Sequence, residues 1–516
     1  MATAAWQRHD PTATALYGIV REHLESFVVE ATERAGRALP KYVEDALRAY
    51  LRCGVLACGF GRARCATCGC DILVAFSCKG RGACPSCAAR RMCGGAATLV
   101  DRVLPAVPLR QWVLSVPHPL RVLLASDAGA LTAVTRIFVE ELIRWQGAAP
   151  GRGGAPSREG GAVSVQQRFG GSLNLTPHLH VLCLDGVYAR VGGGVPVFEP
   201  GEVPTRADLE RIVGRVRERV WRWLRRHRGD VLREVAPEDR ANEAPAVAAL
   251  GACQQLALGA GRGSFGTVHE DRRGRAVVDD EERRFGARAP RSQAAESAGF
   301  NLHANVTVSA WDHEGRERLC RYLLRPTISL ERLTVLEDGR VAYRLKYPVG
   351  GRATHRLMTP LEFLARVAAL IPPPRHPLTR YHGVLAPNSS WRAAVVPARP
   401  TARPIGCAAT AAVGGTTAGA AAGNERVLRH DPAAARVAVV PTGGLSRIDW
   451  ATLLRRTYDV DALACGRCGG RMRFIAVITD GATIARILDH LGEPSSPPSV
   501  VRARSPMLFD CDPPPD

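Results

Sequence analysis

Apolar positions recur every three or four residues over 17–35 (YGIVREHLESFVVEATERA) and 127–146 (DAGALTAVTRIFVEELIRWQ), a spacing that predicts long helices. The same period, with arginines on the polar side, runs through 206–234 and predicts an amphipathic helix. Alternation takes over in 162–169 (AVSVQQRF), 173–188 (LNLTPHLHVLCLDGVY), 301–312 (NLHANVTVSAWD) and twice within 331–347, which predicts strands. A short helix over 315–325 is stopped by Pro326, and a last helix is predicted over 482–492. Residues 399–445 are rich in Ala, Gly, Thr and Pro, the composition of a flexible linker. Interleaved helices and strands without a repeat indicate an α+β chain. The expected organisation is a helical N-terminal segment (1–50), a cysteine-rich module (51–100), a central domain with helical insertions (101–398), the linker (399–445), a small C-terminal domain (446–492) and a disordered tail (493–516).

Charge narrows the function. Lys and Arg total 69 against 49 Asp and Glu, a formal charge of +20, and only Lys41, Lys79 and Lys346 are not arginine. Such an excess points to a polyanionic partner, nucleic acid first. No run approaches the ~18–20 apolar residues of a membrane-spanning helix. The first residues also lack a basic-then-apolar leader, so the expectation is a cytoplasmic protein with no membrane partner.

Nine of the 16 cysteines fall between Cys53 and Cys93. Without a secretory leader this clustering reads as metal binding rather than a disulfide framework. Cys65-x-x-Cys68 and Cys84-x-x-Cys87 fit one structural Zn²⁺ site, because each turn offers two sulfurs and two turns close a tetrahedron. Cys53, Cys58 and Cys78 are left over, so an exchanged ligand, Cys78 or Cys53, or a second site stays open. Cys465-x-x-Cys468 is half a site whose partners could be His490, Cys511 or a cysteine from elsewhere.

Two further features carry chemistry. In 173–186, Leu179, Val181 and Cys183 face one way and His178 and His180 the other. Two imidazoles on one strand face can grip a metal ion through nitrogen. Tyr322 sits near the end of the helix stopped by Pro326, with Arg318 and Arg325 on its face and Arg321 adjacent. A phenol among cations is placed to meet a phosphate.

The zinc knuckles, PHLH (177–180), RYLLRP (321–326), PPPRHPLTRYHGVLAP (372–387) and the flanking RQWVLSVPHPLR and GFNLHANVTVSAWD together resemble the rolling-circle HUH transposases of the bacterial insertion-sequence family numbered ninety-one. The resemblance covers about 50–400, and ACGRCGGRMRFIAVITD (464–480) also looks like that family's C-terminus. It implies an antiparallel nuclease sheet of RRM or ferredoxin-like kind, with helices on one face and the His pair on the other. It further implies that His178 and His180 bind Mg²⁺ or Mn²⁺ and that Tyr322 attacks a DNA phosphodiester. A third polar ligand is expected, with Gln167 and His303 as candidates. Family members carry one or two tyrosines, and Arg318, four residues before Tyr322, marks the single-tyrosine kind. The implied partner is single-stranded DNA at element ends and target, within a bacterial nucleoid. Groove candidates are Arg168, Arg318, Arg321, Arg325, Arg375, Arg380, Tyr381 and His382. A relaxase or replication initiator would share the chemistry; a non-catalytic zinc-dependent DNA-binding protein is the rival of another class.

Overall fold

Alternating apolar residues put the strand Leu175–Leu184 at the centre of a six-stranded sheet in which every neighbour is antiparallel. The order is Ala294–Ser297, Phe300–Val308, Leu109–Ser115, Leu175–Leu184, Gly161–Phe169 and Thr379–Gly383. The computed structural model describes residues 10–147, 157–190, 194–229, 249–258, 265–270, 276–281, 294–349, 353–397 and 461–503. The expected linker, 399–445, lies outside these residues.

The period of two gives the sheet two distinct faces. Trp112, Leu114, Leu179, Val181, Cys183 and Phe300 form one, covered by the helices Ala128–Gly147 and Arg206–His227. The second of these is the arginine-faced helix; Thr205 and Asp208 cap its start reciprocally, and its Leu209, Ile212, Val213, Val216, Val220 and Leu224 are buried. Leu109, Val163, Leu182 and Leu184 form the other face, under the helices Pro85–Arg102 and His313–Leu323. The expectation of helices on one face alone is therefore corrected. The face bearing the histidines is also helix-covered at one end, because its alternate positions turn from His178 and His180 to Leu182 and Leu184.

The central domain's insertion is not simply helical. A second sheet of five antiparallel strands runs Ala276–Glu281, Phe265–Glu270, Ala353–Met358, Val341–Val349 and Leu333–Val335. The N-terminal helices Ala15–Ala35 and Lys41–Arg52 share one core with Pro360–Leu370 and Ala249–Leu258, so 1–50 is no separate appendage in its described part.

The C-terminal segment also departs from expectation. Its strand Met472–Ile478 is the third strand of a sheet with the hairpin Phe60–Cys65 and Asp71–Ala75. Its helix Gly481–His490 buries Ile484 and Leu488 against Leu56 and Phe60. In its described part, 446–492 thus completes the N-terminal cysteine module rather than standing apart. Of the expected disordered tail, residues 493–503 are described, and Val501 N–H donates to Arg21 O (3.1 Å). Among the described residues no single helix is long and apolar enough to cross a membrane.

Candidate active site

Register across the central strands assembles a polar row on the covered face. His178 lies between Ser115 and Gln167, and His180 between Val113 and Val165. The two imidazoles are 4.9 Å apart, centroid to centroid; His180 is buried and His178 half-buried. Burial holds both well below the ordinary histidine range, His180 down to about 2, with the nearby Arg325 adding to the effect. Both rings are thus neutral at physiological pH, the state in which a nitrogen lone pair is free for a metal.

Hydrogen bonds orient the rings. His178 Nδ1 meets Thr176 O at 2.7 Å, which puts the hydrogen on Nδ1 and leaves Nε2 as the lone pair. His180 Nδ1 lies 2.7 Å from the Gln111 side-chain amide, whose two ends are interchangeable in placement. With its oxygen toward the ring, Gln111 accepts from Nδ1 and leaves the His180 Nε2 lone pair open. That Nε2 is buried with no hydrogen-bond partner. An oriented histidine with one bare buried nitrogen is the donor a divalent ion requires.

Gln167 offers a second bare buried atom beside the pair. Its Nε2 donates to the carbonyls of Tyr322 (3.0 Å) and Leu323 (2.8 Å), which fixes the amide's orientation, and its Oε1 is buried without a partner. His303, the other candidate, is two strands from His180, with Val113 between them. Two nitrogens and an amide oxygen suit Mg²⁺ or Mn²⁺ and would accept Zn²⁺ as well.

The tyrosine reaches the same place by helix geometry. Asp312 caps His313–Leu323 by accepting from Gly315 N (2.7 Å), and Leu319, Cys320 and Leu323 face the sheet. Arg316 anchors the helix from below through the carbonyls of Pro105 (2.6 Å) and Val107 (2.8 Å). Tyr322 is left 40% exposed at the last turn, its ring 5.8 Å from that of His180 and edge-on to it. Arg325 lies over the Tyr322 ring at 4.7 Å and over Phe169 at 5.1 Å. From the second sheet, Lys346 Nζ approaches the same ring at 5.7 Å. Histidine pair, bare amide oxygen, phenol and two cations thus converge.

The groove candidates divide. Arg318 is exposed on the tyrosine helix, Arg325 is at the phenol, and Arg321 pairs with Glu317 at 2.6 Å. Arg375 is exposed on its loop. Four others serve the fold. Arg168 is buried and donates to Ala125 O (2.6 Å) and Ala369 O (3.2 Å). Arg380 reaches Thr132 Oγ1 (2.8 Å) and His382 pairs with Ser164 Oγ (2.8 Å), both on the sheet face away from the histidines. Tyr381 packs into the apolar core under Arg392. Sequence reasoning missed Gln111, Lys346 and Arg332. Only Gln111, a polar residue amid the apolar positions of its strand, left a signal.

A cleft of about 1210 Å³ leads away from Arg325. Phe169, Arg332 and Tyr343 line it on the side of Arg325, and Phe76, Arg90 and Phe474 on the side of the cysteine module.

The cysteines sort into two groups of four rather than the expected set. Cys53, Cys78, Cys84 and Cys87 converge, and Cys65 and Cys68 meet Cys465 and Cys468. The hairpin explains why Cys65, Cys68, Cys84 and Cys87 do not share a site. Cys53 and Cys78 flank its base, where Gly54 N–H donates to Phe76 O (2.9 Å), whereas Cys65 and Cys68 sit at its tip. Five or six residues of strand separate base from tip by about 17–20 Å. In the first group Cys53–Cys87, Cys78–Cys87 and Cys53–Cys84 sulfurs are each 3.6 Å apart. Zinc–thiolate bonds of about 2.3 Å set tetrahedral sulfurs about 3.8 Å apart, so the group fits a structural Zn²⁺.

Two family comparisons agree with this anatomy. Residues 161–392 match the family described as "Putative transposase" (Y2_Tnp). Residues 19–116 match the family described as "Transposase zinc-binding domain" (Zn_Tnp_IS91). No curated protein and no solved structure matches the chain. A transposase zinc-binding domain followed by a transposase domain in one chain, with four thiols converging inside the first, places this protein among the transposases of the insertion-sequence family numbered ninety-one.

Proposed function

We propose that this transposase is a metal-dependent tyrosine endonuclease of the HUH kind, which nicks and rejoins single-stranded DNA in rolling-circle transposition. The observation that carries the reading is the Tyr322 ring 5.8 Å from that of His180, whose Nε2 is buried and unpaired. His178, His180 and Gln167 would hold Mg²⁺ or Mn²⁺, which polarises the scissile phosphate. Arg325 and Lys346 then face the phosphate's negative charge beside the phenol. Tyr322 Oη attacks phosphorus, a Tyr–O–P bond forms as the bond to the 3′ oxygen breaks, and the phenol's proton ends on the released 3′-hydroxyl. The product is a 5′-phosphotyrosine. The phosphodiester's free energy is conserved in that ester, so attack by another strand's 3′-hydroxyl rejoins DNA and restores the phenol without ATP. Arg318, exposed where a second tyrosine would stand, supports the single-tyrosine form. The cleft between Phe169, Phe76 and Phe474, with Arg90 and Arg332, offers rings for bases and cations for phosphates, as a single strand requires.

The test is a covalent-adduct assay with single-stranded DNA spanning an element end. The wild type is expected to give a metal-dependent, protease-sensitive protein–DNA band on a denaturing gel. His178→Ala/His180→Ala is expected to lose that band at every Mg²⁺ or Mn²⁺ concentration while still shifting the DNA in native gels. Free 5′-phosphate ends with no adduct would replace this reading with hydrolysis by water. Gln167→Leu removes one oxygen ligand and keeps the volume. It is expected to slow adduct formation by about 10–100-fold and to raise the Mn²⁺ needed for half-maximal rate. An unchanged Mn²⁺ titration would exclude Gln167 from the metal.

A further inference from the structure

We propose that Cys65, Cys68, Cys465 and Cys468 bind a second zinc ion, and that this ion clasps the C-terminal segment onto the N-terminal module. The four sulfurs lie within 4.8 Å of one another, with Cys65–Cys468 at 3.5 Å and Cys68–Cys465 at 3.6 Å. A disulfide needs about 2.05 Å, whereas tetrahedral zinc needs sulfurs about 3.8 Å apart.

The backbone is built twice to the same plan. Cys65 N–H donates to Cys70 O and Cys465 N–H to Gly470 O, both at 2.8 Å and both five residues on. Gly69 N–H then returns to Cys65 O (3.1 Å) and Gly469 N–H to Cys465 O (2.8 Å). Gly69 and Gly469, each just after the second cysteine, have φ of 72° and 70°, which a side chain would disfavour. Backbone N–H groups also point at the sulfurs, from Thr67 to Cys65 and from Gly470 to Cys468, each at 3.4 Å. Such bonds favour thiolates, the form that binds metal. The knuckles interlock as well: a Cβ on Gly470 would fall 3.0 Å from Cys65 Sγ.

The clasp has work to do. It joins positions 65 and 465, and the apolar surface the tail brings is small, chiefly Met472, Ile484 and Leu488. The strand it anchors carries Phe474 and Val477, which line the cleft. Loss of this ion would therefore remove one wall of the cleft without touching the histidines or Tyr322.

Metal analysis of the full-length protein is expected to find two zinc ions per chain. Cys465→Ser/Cys468→Ser and Cys65→Ser/Cys68→Ser should each retain one. The chain cut by protease within 399–460 should keep its two fragments together on a sizing column, and zinc chelation should separate them. Should a variant fail to fold, Co²⁺ titration of the metal-stripped wild type decides the matter, since tetrathiolate absorption should grow through two equivalents. One zinc per wild-type chain, iron in place of the second zinc, two zinc ions in Cys465→Ser/Cys468→Ser, or Co²⁺ absorption saturating at one equivalent would each overturn the clasp.

Discussion

Tyr322→Phe is expected to abolish the covalent protein–DNA adduct while leaving metal binding, DNA binding and thermal stability close to wild type. The substitution removes a single oxygen from a residue that is 40% exposed, so packing changes little. The contacts that fix that turn survive, since Gln167 grips the backbone carbonyls of Tyr322 and Leu323 rather than the phenol. The Arg325 stacking also depends on the ring and not on its hydroxyl. What is lost is the proposed nucleophile. Losing the group that forms the covalent bond costs on the order of 10³-fold or more. Adduct yield on a denaturing gel and DNA affinity at fixed salt are the two readouts. Persistence of a protein-linked 5′ end in Tyr322→Phe would transfer the nucleophile to another residue. Persistence of cleavage without a link would transfer it to water.

The parts of this site that sequence makes legible are those set by local periodicity. Alternation alone puts His178 and His180 on one face opposite Leu179, Val181 and Cys183. Pro326 marks the end of the tyrosine helix within a few residues of Leu323. Gln167 could be nominated because its strand neighbours that of the histidines, but choosing it over His303 takes the register and the bare Oε1. Arginine defeats sequence reading in a chain this basic. Arg168 and Arg380 look like groove residues beside Arg325, yet each caps a backbone carbonyl or hydroxyl elsewhere in the fold. The cysteines mislead for a different reason. Spacing along the chain pairs Cys65 and Cys68 with Cys84 and Cys87, while a hairpin separates base from tip and sends each knuckle to a distant partner. Nothing local in 464–480 announces that its strand will pair with residues 60–65.

Cys84→Ser is expected to have the largest effect on stability of any single cysteine change. Serine nearly matches the volume of cysteine, so the loss reports the metal and not the packing. Cys84 is 1% exposed and lies in a core with Tyr50, Cys53, Leu51 and Ile371, where a fourth ligand has no room to be replaced by water. Structural zinc in such sites contributes an apparent ~10–16 kcal/mol. That matches or exceeds the whole stability of an ordinary domain, about 5–15 kcal/mol. One zinc should be lost, and the N-terminal helices should become sensitive to protease under conditions where the wild type resists. Catalysis should fall with them, because Arg81, between the knuckle cysteines, donates to Pro373 O (2.8 Å) and His376 O (2.7 Å) and so ties the module to the central domain. Cys93→Ser is the control: Cys93 is equally buried, on the helix Pro85–Arg102, but belongs to neither thiol group. It is expected to keep the full zinc content and to resist protease nearly as well as wild type. Equal sensitivity of both variants would mean that apolar packing, and not the metal, holds the module closed.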